Sequence, residues 1–108
     1  MSILTSIKKL LGIDEEYTHF DTDIIVYINT ALYELSLLGI GPVDGYTITD
    51  KDDVWTDFLD DGPIQESAKS YVYYSVRLVF DPPSTSFVIE SINKIKNKLE
   101  WHLANEGG

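Results

Sequence analysis

The chain has 108 residues, 44% hydrophobic and 12% aromatic, with no cysteine and with 18 acidic residues against 8 basic ones, a formal charge of -10. That length makes one domain, burying roughly two thirds of the surface the unfolded chain exposes, and the absent cysteines exclude a disulfide scaffold, a thiol nucleophile and a cysteine zinc site. The acid excess argues against a nucleic-acid or anionic-membrane binder, which needs a basic face, and no apolar run approaches the ~20 residues that span a bilayer, so a soluble protein is expected.

Leu4, Ile7, Leu10 and Leu11 recur at helical spacing and predict a short amphipathic helix over 3–11. Lys8 and Lys9 lie in its middle with no small-residue cleavage site after it, the wrong order for a secretory signal. Gly12 before Ile13, and Gly39 before Ile40, read as helix stops: glycine takes the left-handed conformation and the next apolar residue folds back on the last turn. A second helix is expected over 22–38, capped by Asp21 or Thr22, with Ile24, Ile25, Ile28, Leu32 and Leu35 as its stripe. Val26, Tyr27, Tyr33 and Leu37 fall off that stripe, which predicts contacts beyond the helix's own bundle.

Gly41, Pro42, Asp44 and Gly45 punctuate a turn, and the alternation of Tyr46 to Thr49 gives at most a short strand or hairpin arm. Val54, Trp55, Phe58 and Leu59 make a short helix over 54–59. Pro63 suits the first position of a helix over 63–80, where its missing amide hydrogen would have no partner in any case. Its stripe is Ile64, Ala68, Tyr71, Val72, Ser75, Val76 and Val79, and Asp81-Pro82-Pro83 ends it. Ser84 or Ser86 caps a last helix over 85–104 with the stripe Val88, Ile92, Ile95, Leu99 and Leu103, a favourable Glu90–Lys94 pair, and Trp101 as a core residue on its flank. A frayed tail over 105–108 follows. The expected fold is mainly all-α: a single domain over 1–108, a small four-helix-type bundle with a short extra helix and an irregular arm, with room for a short β-hairpin, in residues 41–62.

The charge is local: residues 1–43 carry -4, residues 44–66 carry -7, and residues 67–108 carry +1. Asp50, Asp52, Asp53, Asp57, Asp60 and Asp61 crowd the arm, which is either a solvated loop or an acidic surface with a task. They do not make a calcium loop, because the glycine and glutamate that an EF-hand needs at its sixth and twelfth positions are missing. His19 and His102 sit in no ligand motif, His102 being placed to meet a helix dipole. No nucleophile elbow, phosphate-binding glycine loop or metalloprotease motif occurs, so neither catalysis, a cofactor nor a metal is expected.

Two aromatic groups have open roles. Tyr73, Arg77 and Phe80 follow spacings of four and three on the face opposite the Ile64–Val79 stripe, and are either a protein interface, where Tyr, Phe and Arg are favoured, or a second core face in which the only arginine closes a buried ion pair. Trp55 and Phe58 are either a lid over the bundle end or an anchor on a neighbouring subunit.

The opening helix with its Leu-Leu-Gly-Ile ending, the stretch Phe20 to Pro42 (FDTDIIVYINTALYELSLLGIGP), Trp55 to Leu59 (WTDFL), Tyr71 to Pro83 (YVYYSVRLVFDPP) and the closing Leu-Glu-Trp-His-Leu together resemble the phage head-tail connector proteins, also called adaptor or head-completion proteins, most closely those of siphophages and prophages of Gram-positive bacteria. The likeness covers residues 3 to about 104 and rests on the order and spacing of all five pieces. It implies a helical protomer that assembles into a ring, a dodecamer, beneath the portal during head completion and DNA packaging. Such a ring extends the DNA channel and presents a docking surface to the next neck, stopper or tail component, in the virion neck after assembly in the host cytoplasm. DNA would pass through without specific binding, and the arm's carboxylates would suit a channel wall that repels phosphate. Some relatives carry a longer C-terminal extension that reaches the portal; this chain ends soon after Trp101, which leaves docking to the last helix or another surface. The rival readings are a small acidic inhibitor mimicking DNA, disfavoured because the carboxylates gather in one segment and do not spread along helices, and a generic helical adaptor in a cellular complex.

Overall fold

Two helices end the same way. Ile3–Leu10 (α1) and Asp21–Leu37 (α2) run into Gly12 and Gly39, at φ 80° and 84°. Ile13 N–H then donates to Lys8 O at 2.9 Å and Gly12 N–H to Lys9 O at 3.1 Å, while Ile40 N–H donates to Leu35 O and Gly39 N–H to Ser36 O, both at 3.0 Å. This double bond satisfies carbonyls that a helix end leaves open, and only glycine takes its left-handed position without strain. The starts differ from expectation. Ser2 Oγ caps α1 by accepting from Thr5 N–H, but α2 has no side-chain cap: its cap position falls on Phe20, whose ring offers no acceptor, and Asp21, already helical, pairs with Lys8.

The computed structural model describes residues 1–106, and among them three further helices follow: Trp55–Phe58 (α3), Pro63–Phe80 (α4) and Ser86–Glu106 (α5). Pro63 opens α4, and Asp81 before the two prolines closes it. Neither Ser84 nor Ser86 caps α5. Thr85 does, its hydroxyl accepting from Val88 N–H at 3.4 Å and its carbonyl from Ile89 N–H at 3.2 Å. The helix runs on through Glu106, so Asn105 is helical where fraying was expected; 107–108 lie outside the described residues.

The fold is all-α. The one β pairing among the described residues is an isolated bridge between Ser2 and Val54. Residues 46–49 form no hairpin, because the partner that a strand would need is a side chain: Asn29, in mid-α2, accepts from Ile48 N–H at 2.8 Å and donates to Ile48 O at 3.0 Å. One carboxamide thus answers both polar groups of one peptide position, as a neighbouring strand would.

Helix α4 packs against both α2 and α5, and α1 packs against α2 and α4. The molecule measures 35 × 34 × 20 Å, and the short dimension is two helix diameters. Ile24, Ile28, Leu32 and Leu35 of α2 meet Ala68, Tyr71, Val72 and Val76 of α4 in the core, with Ile3, Leu4 and Ile7 of α1 and Leu103 of α5. Val79 continues the α4 stripe in sequence yet is exposed, as are Val88 and Ile95 of α5, so the core covers less of these two helices than their periodicity suggests. Glu90 and Lys94 do not pair.

An isolated helix of eight residues does not hold in water, so α1 depends on tertiary contacts. Ile3, Leu4 and Ile7 each contribute about 1.5–3 kcal/mol by burial. Lys8 is the unexpected contact. Its side chain is only 2% exposed, and its ammonium donates to Glu15 O at 2.9 Å and Tyr17 O at 2.8 Å while lying 2.8 Å from Asp21 Oδ1. Two carbonyls accept from the ammonium and the carboxylate supplies its counter-charge. The lysine ties α1 to the connecting loop and to the first turn of α2.

Candidate interaction surfaces

The acidic arm between α2 and α4 is fixed along its length. Pro42 O accepts from Gly45 N–H at 2.9 Å, closing the expected turn, and Asn29 holds Ile48. Asp53 Oδ2 then accepts from Thr49 N–H at 2.7 Å, Thr49 Oγ1 and Asp50 N–H, both at 3.3 Å. The Thr49 amide above all holds the Asp53 carboxyl below its ordinary value of 3.8. Asp50 Oδ1 accepts from Asp52 N–H at 2.8 Å. Ile3 N–H to Asp53 O and Trp55 N–H to Met1 O, at 3.0 and 3.2 Å, join the arm to the start of α1. Beside it the Tyr46 hydroxyl is buried, and burial first, then the charges of Asp53 and Asp57, push its pKa up.

The six arm aspartates therefore fall into two kinds. Asp50 and Asp53 use their carboxylates to fold the arm. Asp52, Asp57, Asp60 and Asp61 are exposed, and neither Lys8, which pairs with Asp21, nor Lys69, which pairs with Glu66, meets them, so their charge faces solvent.

Trp55 and Phe58 are 1% and 4% exposed. The Trp55 indole N–H donates to Ser6 Oγ of α1 at 2.8 Å, its ring lies 6.4 Å from that of Phe58, and Phe58 abuts Gly41. Both belong to this chain's own core. The subunit-anchor role weighed for them has no exposed ring to act through, because the arm folds over α1 and encloses them. Gln65 Nε2 donates to Leu59 O at 2.7 Å and locks α3 to the start of α4.

Tyr73, Arg77 and Phe80 are half-buried on α4. Arg77 Nη1 donates to the Tyr73 hydroxyl at 3.0 Å, the Tyr73 ring lies 5.0 Å from Tyr74, and Phe80 meets Phe20 edge-on at 5.2 Å. The buried ion pair considered for Arg77 is not formed: its partner is a neutral phenol one turn away. Elsewhere on α4, Tyr71 donates to Glu100 Oε1 at 3.0 Å under the Lys96 ammonium, 5.2 Å from the ring centre. Burial, then Glu100 and Glu34, raise the Tyr71 pKa, so this hydroxyl keeps its proton. A surface groove of about 290 Å³ lined by Tyr27, Thr30, Glu34, Val79 and Lys96 runs above it between α2, α4 and α5.

Trp101 is 64% exposed and does not join the core. It lies on the outer face of α5 with Phe87, 77% exposed, and the exposed Lys94 and Lys98. Sequence reasoning missed this group, although its spacing was legible: residues 87, 94, 98 and 101 share a helix face turned away from Ile92, Leu99 and Leu103. The exposed Val26, Tyr33 and Leu37 of α2 match the off-stripe residues singled out from sequence, while Tyr27 is half-buried beside the groove.

Among the described residues no group of three or more His, Asp or Glu is placed to hold a metal ion, and no helix is long and apolar enough to cross a membrane. A protein-family model described as "Phage connector protein" matches residues 3–108. No curated protein and no solved structure matches the chain.

Proposed function

The chain belongs to the phage connector protein family and has a structural connector role in the phage particle, and from that premise we propose that it assembles as a ring beneath the portal, joining head to tail during head completion. The ring extends the DNA channel, with a dodecamer as the expected form on the portal, and its far side receives the next neck, stopper or tail component. Assembly takes place in the host cytoplasm, and the mature location is the virion neck. The role is not catalytic. Asp52, Asp57, Asp60 and Asp61 carry unpaired charge at the surface, and a channel wall of that sign lets DNA slide without tight phosphate contacts. The half-buried Tyr73–Arg77 pair of α4 is a candidate partner contact.

The observation that carries this reading is the family match over nearly the whole chain; large apolar side chains left exposed on two long helices support it, since they call for a protein partner. The test is incubation of the purified protein with its portal, followed by electron microscopy or native mass spectrometry. An added ring of density or mass is expected, and its absence with assembled portal present overturns the reading. A monomer without portal is compatible with it, because the portal serves as template. Arg77→Ala is expected to lower assembly while leaving the helical circular dichroism unchanged.

A further inference from the structure

Helix α5 packs chiefly on α4, with Ile92, Leu99 and Leu103 on its inward side. The opposite side carries Phe87, Glu90, Lys94, Lys98 and Trp101, spaced three and four residues apart along one face. All five are exposed, Phe87 by 77% and Trp101 by 64%, and the three charged side chains have no ion-pair partner among the described residues. Their order is symmetric about Lys94: the two aromatics stand seven positions either side of it, and two opposite charges, Glu90 and Lys98, stand four positions either side. The helix as a whole is neutral, Lys94, Lys96 and Lys98 balancing Glu90, Glu100 and Glu106, although the chain carries -10. Two copies can therefore meet along α5 without opposing net charge at the contact.

We infer that this face binds a second copy of itself, two α5 helices lying antiparallel about a two-fold axis through Lys94. The occupant follows from the symmetry of the pattern, because antiparallel pairing about residue 94 sets Phe87 against Trp101 and Glu90 against Lys98, and does each twice. A face that holds both the aromatic and the ionic complement of its own inverted copy needs no foreign surface to match it. Lys94 on the axis makes the one like-charge encounter, with the second copy's Glu90 a single turn away for its flexible stem to lean toward. Four aromatic side chains of about 150–250 Å² each, in a strip about 21 Å long, give an interface at the small end of the usual range, so the pair is weak and reversible. It is also closed: each copy uses up its α5 face, so association stops at two and the free protein keeps its aromatics covered without polymerising. This self-pairing goes beyond the ring reading and does not rest on it.

The experiment uses the protein without portal, so its outcome is independent of the ring reading. Sedimentation equilibrium of wild type is expected to show a monomer–dimer equilibrium between about 10 μM and 1 mM, with acrylamide quenching of Trp101 falling as the dimer forms. A wild type that is still monomeric at about 1 mM overturns the inference. Glu90→Lys and Lys98→Glu, both at exposed positions and checked for folding by circular dichroism, each turn the two ion pairs into like-charge encounters and are expected to raise the dimerisation midpoint by about tenfold. Mixing the two variants restores opposite charges at both places, lysine 90 facing glutamate 98 and the native Lys98 facing the native Glu90, and is expected to return the midpoint to within about threefold of wild type. Single variants that dimerise like wild type overturn the inference, since the contact then lies elsewhere. A mixture that associates no better than its parts also overturns it, by excluding the antiparallel register.

Discussion

Lys8→Met isolates the contact that holds α1 to the rest of the chain. Methionine keeps most of the buried aliphatic stem and removes the ammonium, leaving the carbonyls of Glu15 and Tyr17 without their donor and the carboxylate of Asp21 without its counter-charge. A hydrogen bond to a charged group is worth about 1.5–3 kcal/mol, and removing one partner of a buried pair costs about 3–5 kcal/mol. Both figures are upper bounds here, because Glu15 and Tyr17 lie in an exposed loop and the Asp21 side chain is 24% exposed, so water replaces part of what is lost. The expected cost is therefore about 2–4 kcal/mol, a large share of the 5–15 kcal/mol that holds a typical domain together. In a chain of this size it lowers Tm by roughly 10–25 °C. Urea unfolding followed by far-ultraviolet circular dichroism measures it. Lys9→Met, at the exposed neighbouring position, serves as control and is expected within about 0.5 kcal/mol of wild type. Asp21→Asn keeps an oxygen near the ammonium and is expected to cost about 1 kcal/mol. If Lys8→Met costs no more than Lys9→Met, the three contacts contribute nothing net and α1 is held by its apolar face alone.

Asn29→Ala removes both hydrogen bonds to Ile48 and is expected to cost about 1–3 kcal/mol and to speed amide exchange in residues 46–49 without disturbing α4; unchanged exchange there contradicts the strand-mimic role. Gly41→Ala places a Cβ 2.5 Å from Phe58 Cε1 at φ 95°, whereas Gly45→Ala, at φ 85°, meets open space. Both incur about 1 kcal/mol for the left-handed backbone, and Gly41→Ala is expected to cost at least about 1 kcal/mol more; equal costs show that Phe58 moves freely. Asp53 has a folded pKa below its ordinary 3.8, so its contribution is complete above that value and is lost as pH falls through the lower, folded one. Its carboxyl resonance should titrate below 3.8, the Thr49 amide should follow it, and a midpoint at or above 3.8 rules the clamp out. Acrylamide should quench Trp101 and spare Trp55 in the monomer, with Trp101 protected as the α5 pair forms; continued quenching in the dimer would place α5 elsewhere.

The features legible in the sequence were those set by local backbone chemistry. Gly12 and Gly39 ended helices because the left-handed residue and the apolar one after it form a local motif, and Pro63 and Pro82 marked their boundaries through a missing donor and a steric clash. What stayed hidden depended on residues distant in sequence. Lysine in mid-helix reads as a solvent residue, and only the return of the loop over residues 15–21 brings it two carbonyl acceptors and a counter-charge. Asparagine in mid-helix is ordinarily a weak choice, and its use here becomes visible only when residue 48 arrives beside it. Trp101 was assigned by size and not by angle: large aromatics are often core, but this one is out of phase with Ile92, Leu99 and Leu103.

The acidic excess separates along the same line. A uniform coat of carboxylates would act only through the summed field, raising solubility and repelling like charge. Here Asp53, and to a lesser degree Asp50, are consumed by backbone amides, and neutralising Asp53 unclamps residues 49–53 whatever lies outside the molecule. Asp57, Asp60 and Asp61 make no such bonds and are exposed. Replacing these three with Asn should leave unfolding unchanged within about 0.5 kcal/mol each, so any effect of that variant on genome passage or assembly reports charge and not fold. If Asp57→Asn/Asp60→Asn/Asp61→Asn builds normal particles that package and eject DNA at wild-type rates, these three carboxylates have no channel role.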